Sequence, residues 1–151
     1  MQRKDTHRPP LIYPRKDKTR IGYKLLRRDG TSLDGKIRYP LDGTWFEVPG
    51  DGACVSHGLH EGLFADGKPW DICVKLECRE PTVVPLVRTV QRYRQIRVIR
   101  VSEKVVITCA DGSREWWCAG DLHRDNGPAI VYPGGRREWW CHGVRQRVEV
   151  G

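Results

Sequence analysis

The residues best suited to chemistry in this 151-residue chain stand in one short run, Cys54-x-x-His57-x-x-His60. A thiol beside two imidazoles can act as a nucleophile with its base, or can supply three ligands to a zinc ion. A tetrahedral site would need a fourth ligand from far along the chain, and a thiol nucleophile would need a third group to orient its base. Neither is identifiable. The second pair, Cys73-x4-Cys78, falls on a predicted strand, where residues five apart face opposite sides and cannot chelate together without a bulge. The six cysteines are expected as free, buried thiols, because disulfides are rare in a reducing cytosol. No catalytic residue, metal ligand or cofactor is assigned from the sequence.

Charge points elsewhere. The net charge of +8 is uneven. Residues 1–20 hold Arg3, Lys4, Arg8, Arg15, Lys16, Lys18 and Arg20 against only two aspartates. Pro9, Pro10 and Pro14 disfavour helix and strand there, so an extended basic arm is expected, either solvated or ordering on an acidic partner. Residues 86–104 carry six basic residues, Arg92, Arg94, Arg97 and Arg100 among them, against Glu103 alone. Arginines interleaved with Tyr93 can grip phosphate and stack on bases or peptide groups; the alternative is a solvated face with arginine stems lying over apolar neighbours. Residues 105–151 are electrically balanced.

These groups must be positioned by strands. IGYKLLRR (21–28), KIRYP (36–40) and TWFEV (44–48) read as short strands between Gly- and Asp-rich turns. Cys54 to Leu63 reads as an irregular segment or one helical turn. PWDICVKLEC (69–78) alternates, with Trp70, Ile72, Val74 and Leu76 on one face and Asp71, Cys73, Lys75 and Glu77 on the other. TVVPLV (82–87) reads as an edge strand because of Pro85. In residues 88–101 neither face is wholly apolar, and a bulge near Arg97–Arg100 would restore a dry one.

The C-terminal third contains a tandem repeat. DGSREWWCAGDLHR (111–124) is echoed by GGRREWWCHGVRQR (134–147), with Trp116 and Trp139 23 residues apart. A fixed period signals one small unit used twice and stacked. Two-residue turns at Asp111-Gly112 and Gly134-Gly135 predict a five-stranded antiparallel meander over Lys104–Cys109, Ser113–Cys118, Pro128–Tyr132, Arg136–Cys141 and Val144–Val150. In each Trp-Trp pair one ring points to each face, so one can enter the core while its neighbour joins a surface ladder. Trp117 and Trp140 are taken as the aromatic partner face.

The run Trp117-x-x-Gly120-x-x-His123-Arg124-x-x-Gly127-Pro128-Ala129 resembles the short MORN-like hairpin repeats of bacterial and viral proteins. The second copy departs from it, with Gln146 in place of the histidine, as a terminal cap would. The resemblance implies stacked hairpins and protein or surface binding. From Gly22 to Val101, Tyr23-Lys24, Gly43-Thr44-Trp45, Cys54-Val-Ser-His57-Gly58-Leu59-His60 and Trp70 resemble an uncharacterised domain of bacteria and their phages with a Cys-x-x-x-Gly-Leu-His motif. That family has a helix after Gly-Leu-His, where this chain has only GLFADGK.

The expected protein is mainly β with little or no helix: an arm (1–20), a β-rich domain (21–103) and hairpin repeats packed on it (104–151). The expected function is non-enzymatic binding of a host protein or nucleoprotein complex, as in an anti-defence inhibitor encoded by a phage or mobile element. A small virion protein, a nucleic-acid-binding protein using the arm, and a Cys/His enzyme are the alternatives. No apolar run approaches a membrane span and no signal segment opens the chain, so a cytoplasmic protein of the bacterial host cell is expected.

Overall fold

A computed structural model of the chain describes residues 18–64, 67–82 and 90–151. Most of the basic arm and most of TVVPLV therefore lie outside the described residues. Among the described residues the molecule is built from antiparallel strands and one single-turn 3-10 helix, Glu61–Phe64. Among the described residues no helix is long and apolar enough to cross a membrane.

The first sheet comprises β1 (Arg20–Leu26), β2 (Phe46–Glu47), β3 (Ala53–Ser56), β4 (Ile72–Pro81) and β5 (Val90–Ser102). Strand β1 pairs with β3 on one side and β4 on the other, and β5 also pairs with both. The four strands close a ring, with β2 added along β5. Closure removes most of the free edge that an open sheet would expose. Its interior is filled by Leu26, Val55, Val74, Leu76, Cys78, Tyr93 and Ile96 among others.

Three sequence expectations change here. Ala53–Ser56 is a strand, because its backbone completes the ring between β1 and β5. KIRYP forms no strand; Arg38 makes only an isolated bridge to Thr31. Trp70 precedes β4 and leaves the face of Ile72, Val74 and Leu76 to join a second apolar cluster. By contrast, Cys73 and Cys78 do face opposite ways, one into each cluster, and burial pushes both thiols up to about 12. All six cysteines are free, but only Cys73 and Cys78 are buried; Cys54, Cys109 and Cys118 are half-buried and Cys141 is exposed.

The long strand β5 turns the ring. Its buried positions are Gln91 and Tyr93 near one end, then Ile96 and Val98, so the inward parity switches between them. The register against β4 slips at Lys75/Leu76, where Arg100 and Val98 pair and Ile99 is left over. This is the expected bulge; it lies C-terminal to the parity switch, which falls between Tyr93 and Ile96 where the register against β4 is unbroken.

The second sheet runs in the order β11-β10-β9-β7-β6. Its strands are β6 (Lys104–Thr108), β7 (Arg114–Cys118), β8 (Asp121–Leu122), β9 (Ile130–Val131), β10 (Arg137–Cys141) and β11 (Val144–Glu149), with β8 pairing only with β7. The meander is as the repeat predicts, but the turns differ. Cys109 and Ser113 close a three-residue loop, Ala110–Gly112, with Gly112 at φ 89°; Tyr132 and Arg136 do the same around Gly135 at φ 97°. A type I turn must end in a left-handed residue to rejoin the ladder, hence the glycine. The two-residue turns lie at Ala119-Gly120 and His142-Gly143, where both residues of each pair have positive φ.

The repeat has a local chemical basis. Trp117 Nε1 donates to Glu115 Oε1 at 3.1 Å, and Trp140 Nε1 donates to Glu138 Oε1 at 3.0 Å. Residues two apart on a strand share a face, so each Glu-x-Trp forms its own clamp. On the opposite face Trp116 lies under Arg114 and Arg124, and Trp139 under Arg137 and Arg147.

Glu138 is buried and also accepts from Tyr132 and Arg136. Burial alone would raise its pKa. Hydrogen bonds from Trp140 and Tyr132, with the charges of Arg136 and Arg145, outweigh that and hold it below its ordinary value. A depressed folded-state pKa gives stability that is present above the unfolded value, about 4.3, and lost as pH falls through the folded one. Urea midpoints followed into acid should therefore fall, and Glu138→Gln should flatten the fall. Equal acid slopes in both proteins would contradict this role.

A cationic cleft between the two sheets

The sheets meet over the second apolar cluster, in which Leu25 and Cys73 of the ring pack against Val105, Ile107 and Trp117. Trp117 contacts Phe64 and Trp70, with ring centroids 5.0 and 6.3 Å away. Strand β5 feeds straight into β6 through a corner at Ser102–Lys104, where Ser102 Oγ donates to the Lys104 carbonyl. Beside this corner the sheets do not fully close, leaving a cleft of about 470 Å³.

Its polar lining is built by strand register. Tyr23 pairs with Lys75 across β1 and β4, and Lys75 pairs with Arg100 across β4 and β5, so the three form one rung. Residues directly opposite share a face, and like charges there repel. Neither Lys75 nor Arg100 has an acidic hydrogen-bonding or ion-pair partner among the described residues. Lys104 and Arg124 add two more cations, with Asp125 as the sole acid of the lining. Arg124 is fixed, stacked 4.0 Å from the Trp116 centroid and donating to the Pro128 carbonyl at 3.2 Å. Asp125 accepts from His123 Nε2 at 2.8 Å, and that hydrogen bond holds its pKa below the ordinary value.

The residues singled out by sequence scatter. Arg100 lines the cleft. Arg97 is tied to Glu77 at 2.6 Å and lies over Trp45, while half-buried Arg92 donates to the Gly52 carbonyl at 3.3 Å. Arg94 is exposed, as are Lys18 and Arg20 at the start of β1. Arg3, Lys4, Arg8, Arg15 and Lys16 lie outside the described residues. Tyr93 is a correction: it is 1% exposed, because inward parity at that end of β5 turns it into the ring. Trp117 and Trp140, both half-buried, lie on the clamp face with Glu115 and Glu138, and Trp117 lines the cleft; Trp116 and Trp139 lie on the opposite face under arginines. Lys75, Lys104 and Arg124 were missed. Alternation placed Lys75 on the polar face of β4, but only tertiary pairing sets it against Arg100.

Beside Cys54, both imidazoles are engaged by neighbouring groups. His57 Nδ1 donates to the Ile21 carbonyl at 2.9 Å, so its Nε2 is the acceptor for the Tyr93 hydroxyl at 2.9 Å. His60 Nδ1 accepts from the Gly62 N–H and its Nε2 meets Ser56 Oγ.

The fold and cleft define a two-sheet β protein with a cationic, aromatic-lined groove between its sheets. Comparison with protein-family models, curated proteins and solved structures returned no match.

Proposed function

We propose that the protein is a non-enzymatic binding protein whose cleft takes an acidic segment of a partner protein. The observation that carries this reading is the Lys75–Arg100 rung, two like charges at register-paired positions on the wall of a groove, neither with an acidic partner among the described residues. Such a pair costs stability unless an anion comes to it. A protein carboxylate suits the site better than an unstacked base, because Trp116 is already covered by Arg114 and Arg124, and Trp117 packs on Phe64 and Trp70. The motif resemblances support a phage or mobile-element origin, with a host protein or nucleoprotein complex in the bacterial cytoplasm as the partner. An inhibitor of host defence is the sharper form of this reading.

The test is fluorescence anisotropy with a labelled polyglutamate peptide and a polythymidine oligonucleotide at two salt concentrations. The peptide should bind, and Lys75→Gln/Arg100→Gln should weaken it about 100-fold, the loss of two hydrogen bonds to charged groups at roughly 1.5 kcal/mol each. The same variant should be as stable as the parent or slightly more so, by about 0.2–1 kcal/mol, since a repulsion is removed. Unchanged peptide binding would sink the cleft reading. Preferential binding of the oligonucleotide, with a steep salt slope, would replace the protein partner by nucleic acid.

A further inference from the structure

We propose that His123, Cys141 and His142 form a zinc site at the β8/β10 corner, at the rim of the cleft, whose lining includes His123 and Asp125. One ligand atom from each residue lies within 4.8 Å of the others. The two imidazoles are stacked, with centroids 4.0 Å apart and planes 16° from parallel. Two imidazoles and one thiolate are a zinc donor set, and three protein ligands leave a fourth position for water or a partner's side chain.

The surroundings already prepare one ligand. His123 Nε2 carries its proton toward Asp125 Oδ1, which leaves the Nδ1 lone pair aimed at the turn, where the His142 backbone N–H now caps it at 3.0 Å. A carboxylate on the far nitrogen is the usual outer-shell support of a metal-bound histidine, because it fixes the tautomer and raises basicity. The His123 side chain is 9% exposed, whereas Cys141 and His142 are exposed and can move. Closing from within 4.8 Å to a tetrahedral spacing of ~3.5 Å needs those two side chains to rotate and the exposed turn at His142 to draw its backbone N–H off His123 Nδ1. The capping N–H, on an exposed hairpin turn, passes to water.

The sequence pattern singles out this corner. Cys118 and Cys141 are equivalent in the two copies, but His123 corresponds to Gln146 and His142 corresponds to Ala119. Only where the copies differ does a cysteine acquire two histidines.

Cobalt(II) titration of the full-length protein tests the site, since a thiolate ligand gives a charge-transfer band and a tetrahedral field gives intense visible bands. One equivalent should bind, be displaced by zinc, and raise the thermal midpoint at excess metal. Cys141→Ser should abolish the charge-transfer band, His142→Ala should weaken binding strongly, and Asp125→Asn should weaken it about 10–100-fold. Cys118→Ser and Cys54→Ser should bind as the parent does. All three site substitutions are at exposed positions, so folding can be checked by circular dichroism in each. Absence of a 1:1 cobalt spectrum, or its persistence in Cys141→Ser, overturns the proposal.

Discussion

Gly120→Ala is expected to destabilise the protein by about 3–5 kcal/mol, whereas Gly143→Ala at the equivalent repeat position should cost only about 1–2. Both glycines occupy the second position of a two-residue hairpin turn, with φ 88° and 84°. A left-handed backbone costs any L-residue with a Cβ roughly 1–2 kcal/mol, and that cost is common to both. The difference is what the new methyl group meets. At Gly120 it would overlap the backbone carbonyl oxygen of Trp70, which cannot swing away. At Gly143 it would lie 3.3 Å from a carboxylate oxygen of Asp121, an exposed side chain that can. The Gly120–Trp70 approach is where the second sheet docks beside the aromatic cluster of Trp70, Trp117 and Phe64. Urea denaturation of both variants measures the difference. Equal losses would mean that the repeat's glycines serve the turn alone and that the docking contact contributes nothing.

Tyr93→Ala should cost about 3–5 kcal/mol and shift the urea midpoint before any binding is measured. This residue stood among the expected partner contacts, yet it is one of the largest fully buried side chains. Burial pushes its phenol up to about 12, so it stays a neutral donor to His57 Nε2. Tyr93→Phe keeps the ring and loses that donor, which should cost about 1 kcal/mol. Peptide binding, scaled to the folded fraction, should be unchanged in Tyr93→Phe. A stable Tyr93→Ala protein with lost binding would restore Tyr93 to the surface and contradict the ring's closure.

These two residues show where reading the chain succeeds and where it stops. The hairpins, the meander order and the opposite facing of Cys73 and Cys78 follow from alternation and from glycine placement, which act over a few residues. The Glu-x-Trp clamps and the arginine-covered outer tryptophans are also local, and they account for why both copies keep the same residues. The repeat could not say which tryptophan has a neighbour above it. Trp117 meets Phe64 and Trp70 because it lies beside the ring, while Trp140 lies one hairpin further out and has no such aromatic contact among the described residues.

The parity switch in β5 had the same effect on Tyr93, since alternation carried from one end of a bent strand fails at the other. By itself, then, the sequence determined a β protein with a stacked C-terminal meander and a basic character, because those depend on short-range pattern and composition. Tertiary structure alone decided which charges share the cleft and which histidines meet Cys141. Lys75 and Arg100 face each other only because ring closure pairs β4 with β5, and His123 reaches His142 only because β8 folds back toward the second hairpin.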